Sequence, residues 1–184
     1  MFGRKVLKIK RGKLSREFDM LKVAKAGDVG IDLPVALPYK QDWEVDLRNY
    51  LDQCRDLTPD YNTINEIKHG YITINPGERH LLPTDIKLEI PKGYWVAVEA
   101  RSSTSKQSLI VPKGVIDEGY RGEIFAQIIN VGDKPVIIHH GDRLVQMILQ
   151  KNETNNLKIK EVSKLSKSER GESGFGSSGK SAIR

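Results

Sequence analysis

From Tyr71 onward, short apolar or alternating runs recur between turn signals. YITI precedes Asn75-Pro76-Gly77, DIKLEI precedes Pro91-Lys92-Gly93, YWVAVEA precedes Arg101, and SLIV precedes Pro112-Lys113-Gly114. EIFAQIIN before Val131-Gly132-Asp133, PVIIHH before Gly141-Asp142, and RLVQMIL extend the series. Strands this short, at roughly ten-residue spacing, predict a sandwich, barrel or jelly roll. No long helical period interrupts them, which argues against parallel βαβ units and makes the fold class all-β.

Three segments depart from that pattern. Near the N-terminus Val6, Leu7 and Ile9 alternate with lysines and arginines, as an edge strand does when its charges discourage sheet-to-sheet association. Between Tyr39 and Gly70, Trp43, Leu47, Tyr50, Leu51 and Cys54 fall at helical spacing, with Asp42 placed to cap the start and Pro59 beyond the end. This predicts a short amphipathic helix inserted at about 40–70, its apolar face packed on its own domain. From Ser163 onward Ser, Lys and Gly dominate, so the expected organisation is a β domain over 1–162 followed by a flexible tail over 163–184. The tail nevertheless contains Arg170-Gly171-Glu172-Ser173-Gly174-Phe175-Gly176-Ser177-Ser178-Gly179. Its composition fits either a plain tail or a lid that brings one ring and one cation to an anion.

Length and charge sharpen this picture only slightly. The 184 residues make one domain's worth of chain, and no apolar run reaches the roughly 18 residues that span a bilayer. A cytoplasmic protein is expected, with no membrane partner; the single cysteine, Cys54, agrees with a reducing compartment. The net charge of +6 raises the question of nucleic acid, but residues 1–25 hold nine Lys/Arg against two acidic residues, +7, leaving −1 for the remainder. The excess thus belongs to the N-terminal strand. A solvated edge strand is the simpler reading, a polyanion-binding arm the alternative, and nucleic acid is not an expected partner.

Candidate chemistry sits in the turns. Arg101-Ser102-Ser103 ends a strand and offers a guanidinium, two hydroxyls and backbone amides, a set suited to polyphosphate. Gly114-Val115-Ile116-Asp117 through Tyr120-Arg121-Gly122 places a carboxylate in a turn with an aromatic three residues on; its bland counterpart is an Asx turn beside a core tyrosine. Gly141-Asp142-Arg143-Leu144-Val145-Gln146 is a turn entering a strand whose Gln146 is a polar interruption, in isolation a satisfied core amide more often than a ligand contact.

In order along the chain, these segments resemble the motif set of the trimeric dUTPase family. The set begins with Ala26-Gly27-Asp28-Val29-Gly30-Ile31-Asp32-Leu33 and Ala100-Arg101-Ser102-Ser103, continues through the two stretches above, and ends with the Arg170–Gly179 segment. The resemblance implies a jelly-roll-like β-clip fold, hydrolysis of dUTP to dUMP and pyrophosphate, and a homotrimer whose sites draw on several subunits. It makes Asp117 the general base that prepares the attacking water, and Tyr120 the ring that excludes a 2′-hydroxyl. Arg101, Ser102, Ser103 and Gln146 match phosphate-contacting positions, and Gly114 and Ile116 match positions lining the nucleotide. Asp32 matches the acid that holds waters of a Mg²⁺ on the triphosphate. In the tail, Arg170 matches a γ-phosphate cation, Phe175 a ring stacked on uracil, and Gly176, Ser177 and Ser178 further phosphate contacts.

The chain departs from the family in places. Asp32 and Arg101 stand about thirty residues further apart than the family pattern leads one to expect, the excess coinciding with the insert. Pro112 and Lys113 stand where an asparagine often precedes the motif-three glycine. Two other functions compete. dCTP deaminases share an Arg-Ser-Ser motif but need a glutamate on the next strand, where this chain has Gln127, a neutral amide that cannot shuttle protons. A regulatory protein partner docking on the insert, as in some phage-encoded dUTPases, is compatible with retained hydrolysis, and the host cytoplasm would then be the location.

Overall fold

The computed structural model describes residues 5–39 and 61–172. Contacts divide the chain into two units, Met1–Glu153 and Thr154–Arg184. Among its described residues the first has ten strands: β1 (Lys8–Arg11), β2 (Gly30–Pro34), β3 (Tyr71–Ile74), β4 (Arg79–Glu89), β5 (Tyr94–Ala100), β6 (Leu109–Ile110), β7 (Gly114–Ile116), β8 (Glu123–Asn130), β9 (Val136–His139) and β10 (Arg143–Lys151). They form two four-stranded sheets, ordered β1-β4-β8-β6 and β2-β10-β5-β7, and a separate β3-β9 pair. All the ladders between these strands are antiparallel. The all-β expectation holds, and the seven predicted runs are all strands.

Alternation explains the core. Along β8 every second residue is buried, so Ile124, Ala126 and Ile128 face inward. They meet Leu82, Ile86 and Leu88 of β4 and, from the other sheet, Leu33, Val96, Val98, Val145 and Met147. Asn130 is fully buried at the end of β8 and is satisfied rather than orphaned. Its Nδ2 donates to the carbonyls of Ile74 and Lys134, both at 2.8 Å, and its Oδ1 accepts from the Gly132 amide at 2.9 Å.

The N-terminal run is an edge strand, as its pattern indicates: among the described residues β1 pairs only with β4, Lys8 opposite Glu89 and Lys10 opposite Lys87. Leu7 and Ile9 pack on the core while Lys8 and Lys10 face solvent. A helix is present on the C-terminal side of the predicted apolar stripe. Helix α1 spans Tyr61–Lys68 and buries Ile67. Glu66 on α1 accepts from the amide and hydroxyl of Thr73, fastening the helix to β3. Trp43, Leu47, Tyr50, Leu51 and Cys54 lie outside the described residues. No helix among the described residues is long and apolar enough to cross a membrane.

A bulge in β4 ties the N-terminal strand to the sheet. The register with β8 shifts between Pro83 and Lys87, and Asp85 takes a left-handed conformation with φ 53°. The shift lets the Asp85 carbonyl accept from the Gly12 amide at 3.0 Å and from Ser15 Oγ at 2.9 Å, and lets its carboxylate accept from the Ser15 amide at 2.9 Å. Gly12 is required by this approach, since a Cβ there would come within 1.8 Å of Asp85 Oδ1. Arg11 then donates to the carbonyls of Ser15 and Phe18, fixing where the chain leaves the knot.

Beneath the bulge, Glu123 Oε1 accepts from the Thr84 and Asp85 amides at 3.1 and 2.8 Å. Burial pushes its carboxyl above the usual carboxylate range, the Asp85 carboxylate adds to the rise, and the two amides and Lys87 oppose it. A carboxyl raised on folding stabilises most below its unfolded value of about 4.3 and loses that contribution as pH climbs through the folded value. Glu123→Gln keeps the acceptor oxygen without the charge. Its melting temperature should gain on the parent's as pH rises from about 4 to 8. Parallel melting curves across that range, measured by circular dichroism, would remove Glu123 from this role.

Candidate active site

An open cleft of about 720 Å³ runs along one end of the β2-β10-β5 sheet. Its residues come from β2 (Gly30, Asp32), from the turn after β5 (Arg101, Ser102), from the turn into β10 and that strand itself (Gly141, Arg143, Gln146), and from the stretch Phe18–Ala24. Asp32 is at its centre because β2, β10 and β5 lie side by side: Gln146 is opposite Asp32 on one flank and Glu99 on the other.

The arginine turn is held from below. The Arg101 amide donates to the Leu144 carbonyl at 3.0 Å, the Thr104 amide closes the turn onto Arg101 O at 3.0 Å, and the buried Thr104 hydroxyl donates to the same Leu144 carbonyl at 2.5 Å. Ser102 and Ser103 are left exposed at the tip. The guanidinium is fixed as firmly: Arg101 Nε donates to Asp32 Oδ1 at 2.7 Å, and Nη1 to the Arg143 carbonyl at 2.9 Å. Arg143 Nη1 lies 3.3 Å from Asp32 Oδ2, so one carboxylate carries two guanidinium groups. A solvent-exposed pair contributes only about 0.2–1 kcal/mol, and these side chains are partly exposed. Orientation of two cations, rather than stability, is what the cluster supplies.

Gln146 is neither a core amide nor a free surface residue. Its Nε2 donates to the Ala100 carbonyl at 3.1 Å, and it lines the cleft half-buried. Gly30, two residues before its ladder partner Asp32, leaves room for this side chain, because a Cβ there would come within 1.9 Å of Gln146 Oε1.

The second group of candidates is elsewhere on the chain. Gly114 and Ile116 are the first and last residues of β7, opposite Val98 and Val96 of β5, and Asp117 follows, exposed. Since Arg101 is five residues beyond Val96, Asp117 and Arg101 sit at opposite ends of β5, roughly 17 Å apart at about 3.3 Å per residue. Asp117 is held in a closed turn, its carbonyl accepting from the Tyr120 amide at 3.0 Å. Tyr120 is 42% exposed, which overturns the bland core-tyrosine alternative; its hydroxyl donates to the Glu123 carbonyl at 2.9 Å and leaves the ring at the surface. Glu118 Oε2 accepts from the Gly93 amide at 2.7 Å and Arg121 Nη1 donates to the carbonyls of Glu118 and Tyr120, so the loop is anchored on both sides.

The third group belongs to the second unit. There a single turn at Thr154–Asn156 is followed by an irregular stretch in which Leu157 is 68%, Ile159 93% and Leu165 82% exposed. Arg170 is exposed, beside a turn closed by Gly171 N on Ser168 O at 3.1 Å. Phe175, Gly176, Ser177 and Ser178 lie outside the described residues.

Sequence reasoning missed the Phe18–Ala24 wall and the partnership of Arg143 with Asp32. The wall has no periodicity to betray it, because it is positioned by Arg11 and Asp85 and by a lone antiparallel bridge from Val23 to Ile31 rather than by a strand of its own. Arg143 was visible within its motif, and a cation two residues past a glycine turn was the available signal.

The dUTPase family model matches residues 68–179. A deoxyuridine 5'-triphosphate nucleotidohydrolase of Finegoldia magna is 42% identical over 139 residues, 70% of this chain and 96% of that protein. One from Caldanaerobacter subterraneus subsp. tengcongensis is 42% identical over 113 residues, covering 60% of this chain and 75% of its own. Among solved structures, a variant dUTPase of Staphylococcus bacteriophage 80alpha with dUpNHpp aligns with TM-score 0.70 at 23% identity, over 96% of this chain and 99% of that one, which speaks to the fold. With its ordered motifs carried on this β framework and its family match extending over more than half its length, the chain belongs to the dUTPase family.

Proposed function

We propose that this chain hydrolyses dUTP to dUMP and pyrophosphate by in-line attack of water on the α-phosphorus, with Mg²⁺ on the triphosphate. The observation that carries this reading is the convergence of Arg101, Ser102 and Gln146 on one cleft around Asp32. Phosphoryl transfer needs mainly positioning and charge neutralisation, and a guanidinium already oriented by a carboxylate spends little entropy in binding phosphate.

Mg²⁺ keeps several waters and takes one or two carboxylates together with substrate phosphates. Among the described residues no three His, Cys, Asp or Glu side chains gather into a metal-holding set, and each Asp32 oxygen already faces a guanidinium. That donor set fits a cation arriving on the nucleotide and held through its waters by Asp32, and does not fit a resident ion. When bound, the ion neutralises phosphate charge. The chain's own residues do the rest: Ser102 faces the leaving pyrophosphate, Ser103 adds a hydroxyl beside it, and Gln146 fixes a phosphate oxygen.

Asp117 is the base, an exposed carboxylate on an anchored turn, and the exposed Tyr120 ring beside it selects deoxyribose. The backbone of Gly114 and Ile116 supplies the edge on which the base is read. Because Asp117 and Arg101 are roughly 17 Å apart along β5, no one chain brings them to the same phosphorus. This supports a homotrimer with shared sites, as do the bare apolar side chains of residues 157–165. Arg170, with Phe175, Gly176, Ser177 and Ser178, closes over the nucleotide as a lid. A cytoplasmic location fits the substrate.

Pyrophosphate release from dUTP and from each common deoxynucleoside triphosphate, with Mg²⁺, tests the assignment. Turnover of dUTP far above the others is expected; ammonia release from dCTP would replace the assignment with deamination. Asp117→Asn should bind dUTP yet lose about 10²-fold or more in turnover. Residual turnover within about threefold of the parent would take the base role away from it.

The shared site has its own test. Asp117→Asn and Arg101→Ala are each expected to be inactive, but unfolding and refolding them together should restore activity in about a quarter of sites, where one chain lends Arg101 and another Asp117. A mixture as inert as its components would place both residues in sites of a single chain.

A further inference from the structure

The charged side chains that line the cleft are balanced. Three carboxylates line it, Asp19, Asp28 and Asp32, against three cations, Lys22, Arg101 and Arg143. The two arginines are both turned onto Asp32, through contacts of 2.7 and 3.3 Å, so the carboxylate offsets part of the charge they present to a phosphate. Asp28 is engaged in its own turn, accepting from the Lys25 amide at 2.8 Å. Lys22 is the lining cation that forms no ion pair among the described residues, and it is exposed on the wall facing the strand-borne groups.

That wall is not loose. Arg11 holds the Phe18 carbonyl, and the Asp85 knot holds Ser15, so the chain leaves a fixed point four residues before Lys22. A lysine is a compact charge on a flexible four-carbon stem, suited to following phosphate oxygens without demanding a fixed geometry. The β strands already provide oriented hydrogen-bond donors at the cleft floor; what they lack is uncommitted positive charge.

We propose that Lys22 binds the pyrophosphate portion of the nucleotide, supplying the charge that Asp32 withholds from the two arginines, and so selects triphosphate over the monophosphate product. This rests on the reading of the cleft as a dUTP site. It also gives the Asp32 clamp a counterpart: the arginines are spent on geometry, and Lys22 supplies attraction.

The test compares the full-length parent with Lys22→Met and Lys22→Arg. Affinities are measured with Mg²⁺ for dUMP and for the non-hydrolysable α,β-imido analogue of dUTP, together with kcat and KM for dUTP. Lys22→Met should weaken the analogue and raise KM by about tenfold, the loss of one charge-assisted phosphate contact. Its kcat and its dUMP affinity should stay within about threefold, and Lys22→Arg should restore most of the difference. Unchanged KM and analogue affinity overturn the proposal, as does an equal loss for dUMP and the analogue, which would mean a merely structural effect. A parent protein that turns over dUTP while Lys22→Met behaves identically overturns the Lys22 role alone; a parent inert to dUTP overturns the activity and this inference together.

Discussion

One carboxylate holding two guanidinium groups organises this molecule's chemistry. Asp32 faces Arg101 Nε on one oxygen and Arg143 Nη1 on the other, and in doing so joins β2, the end of β5 and the start of β10. Each link alone is of the modest kind found at any protein surface. Their effect is cumulative, because Arg101 is also fixed to the Arg143 carbonyl and its backbone to Leu144. Removing the Asp32 charge would therefore leave the sheet intact and the cations misdirected. Gly30 completes the arrangement by leaving the space that Gln146 occupies next to the clamp.

Much of the fold was legible because burial on one face imposes a period of two, and the runs from Tyr71 to Leu149 carry that period plainly. β2 was not read as a strand, since Gly30–Pro34 is short and holds a charged residue mid-way, and its identity comes from pairing with β10. β7 is three residues opposite β5 and has no pattern long enough to register. The helix expected from Trp43 to Cys54 lies outside the described residues, and α1, Tyr61–Lys68, shows itself in sequence only through Ile64 and Ile67. Two apolar residues at helical spacing are too few to stand out from the strand that follows.

The candidate site could be read from the sequence as a list of residues and not as a shape. Ordered motifs named Arg101, Ser102, Gln146, Asp32, Asp117 and Tyr120, but nothing in their spacing tells which share a cleft. That is decided by ladder register: Gln146 opposite Asp32 brings one set together, and Ile116 opposite Val96 carries the other to the far end of β5. The Phe18–Ala24 wall was hidden for a related reason. It depends on a left-handed Asp85 in a bulge some seventy residues away, a long-range contact for which local sequence holds no signal.

The separation of Asp117 from Arg101 also bears on how the activity depends on concentration. If Asp117 and Arg101 serve one nucleotide as base and phosphate clamp, as proposed, a lone chain can be folded and still chemically inert. Specific activity then ceases to be a constant of the polypeptide and becomes a property of its association equilibrium, falling on dilution faster than the amount of protein does. For a cell making little of it, the threshold for clearing a nucleotide would be set by assembly rather than by catalysis.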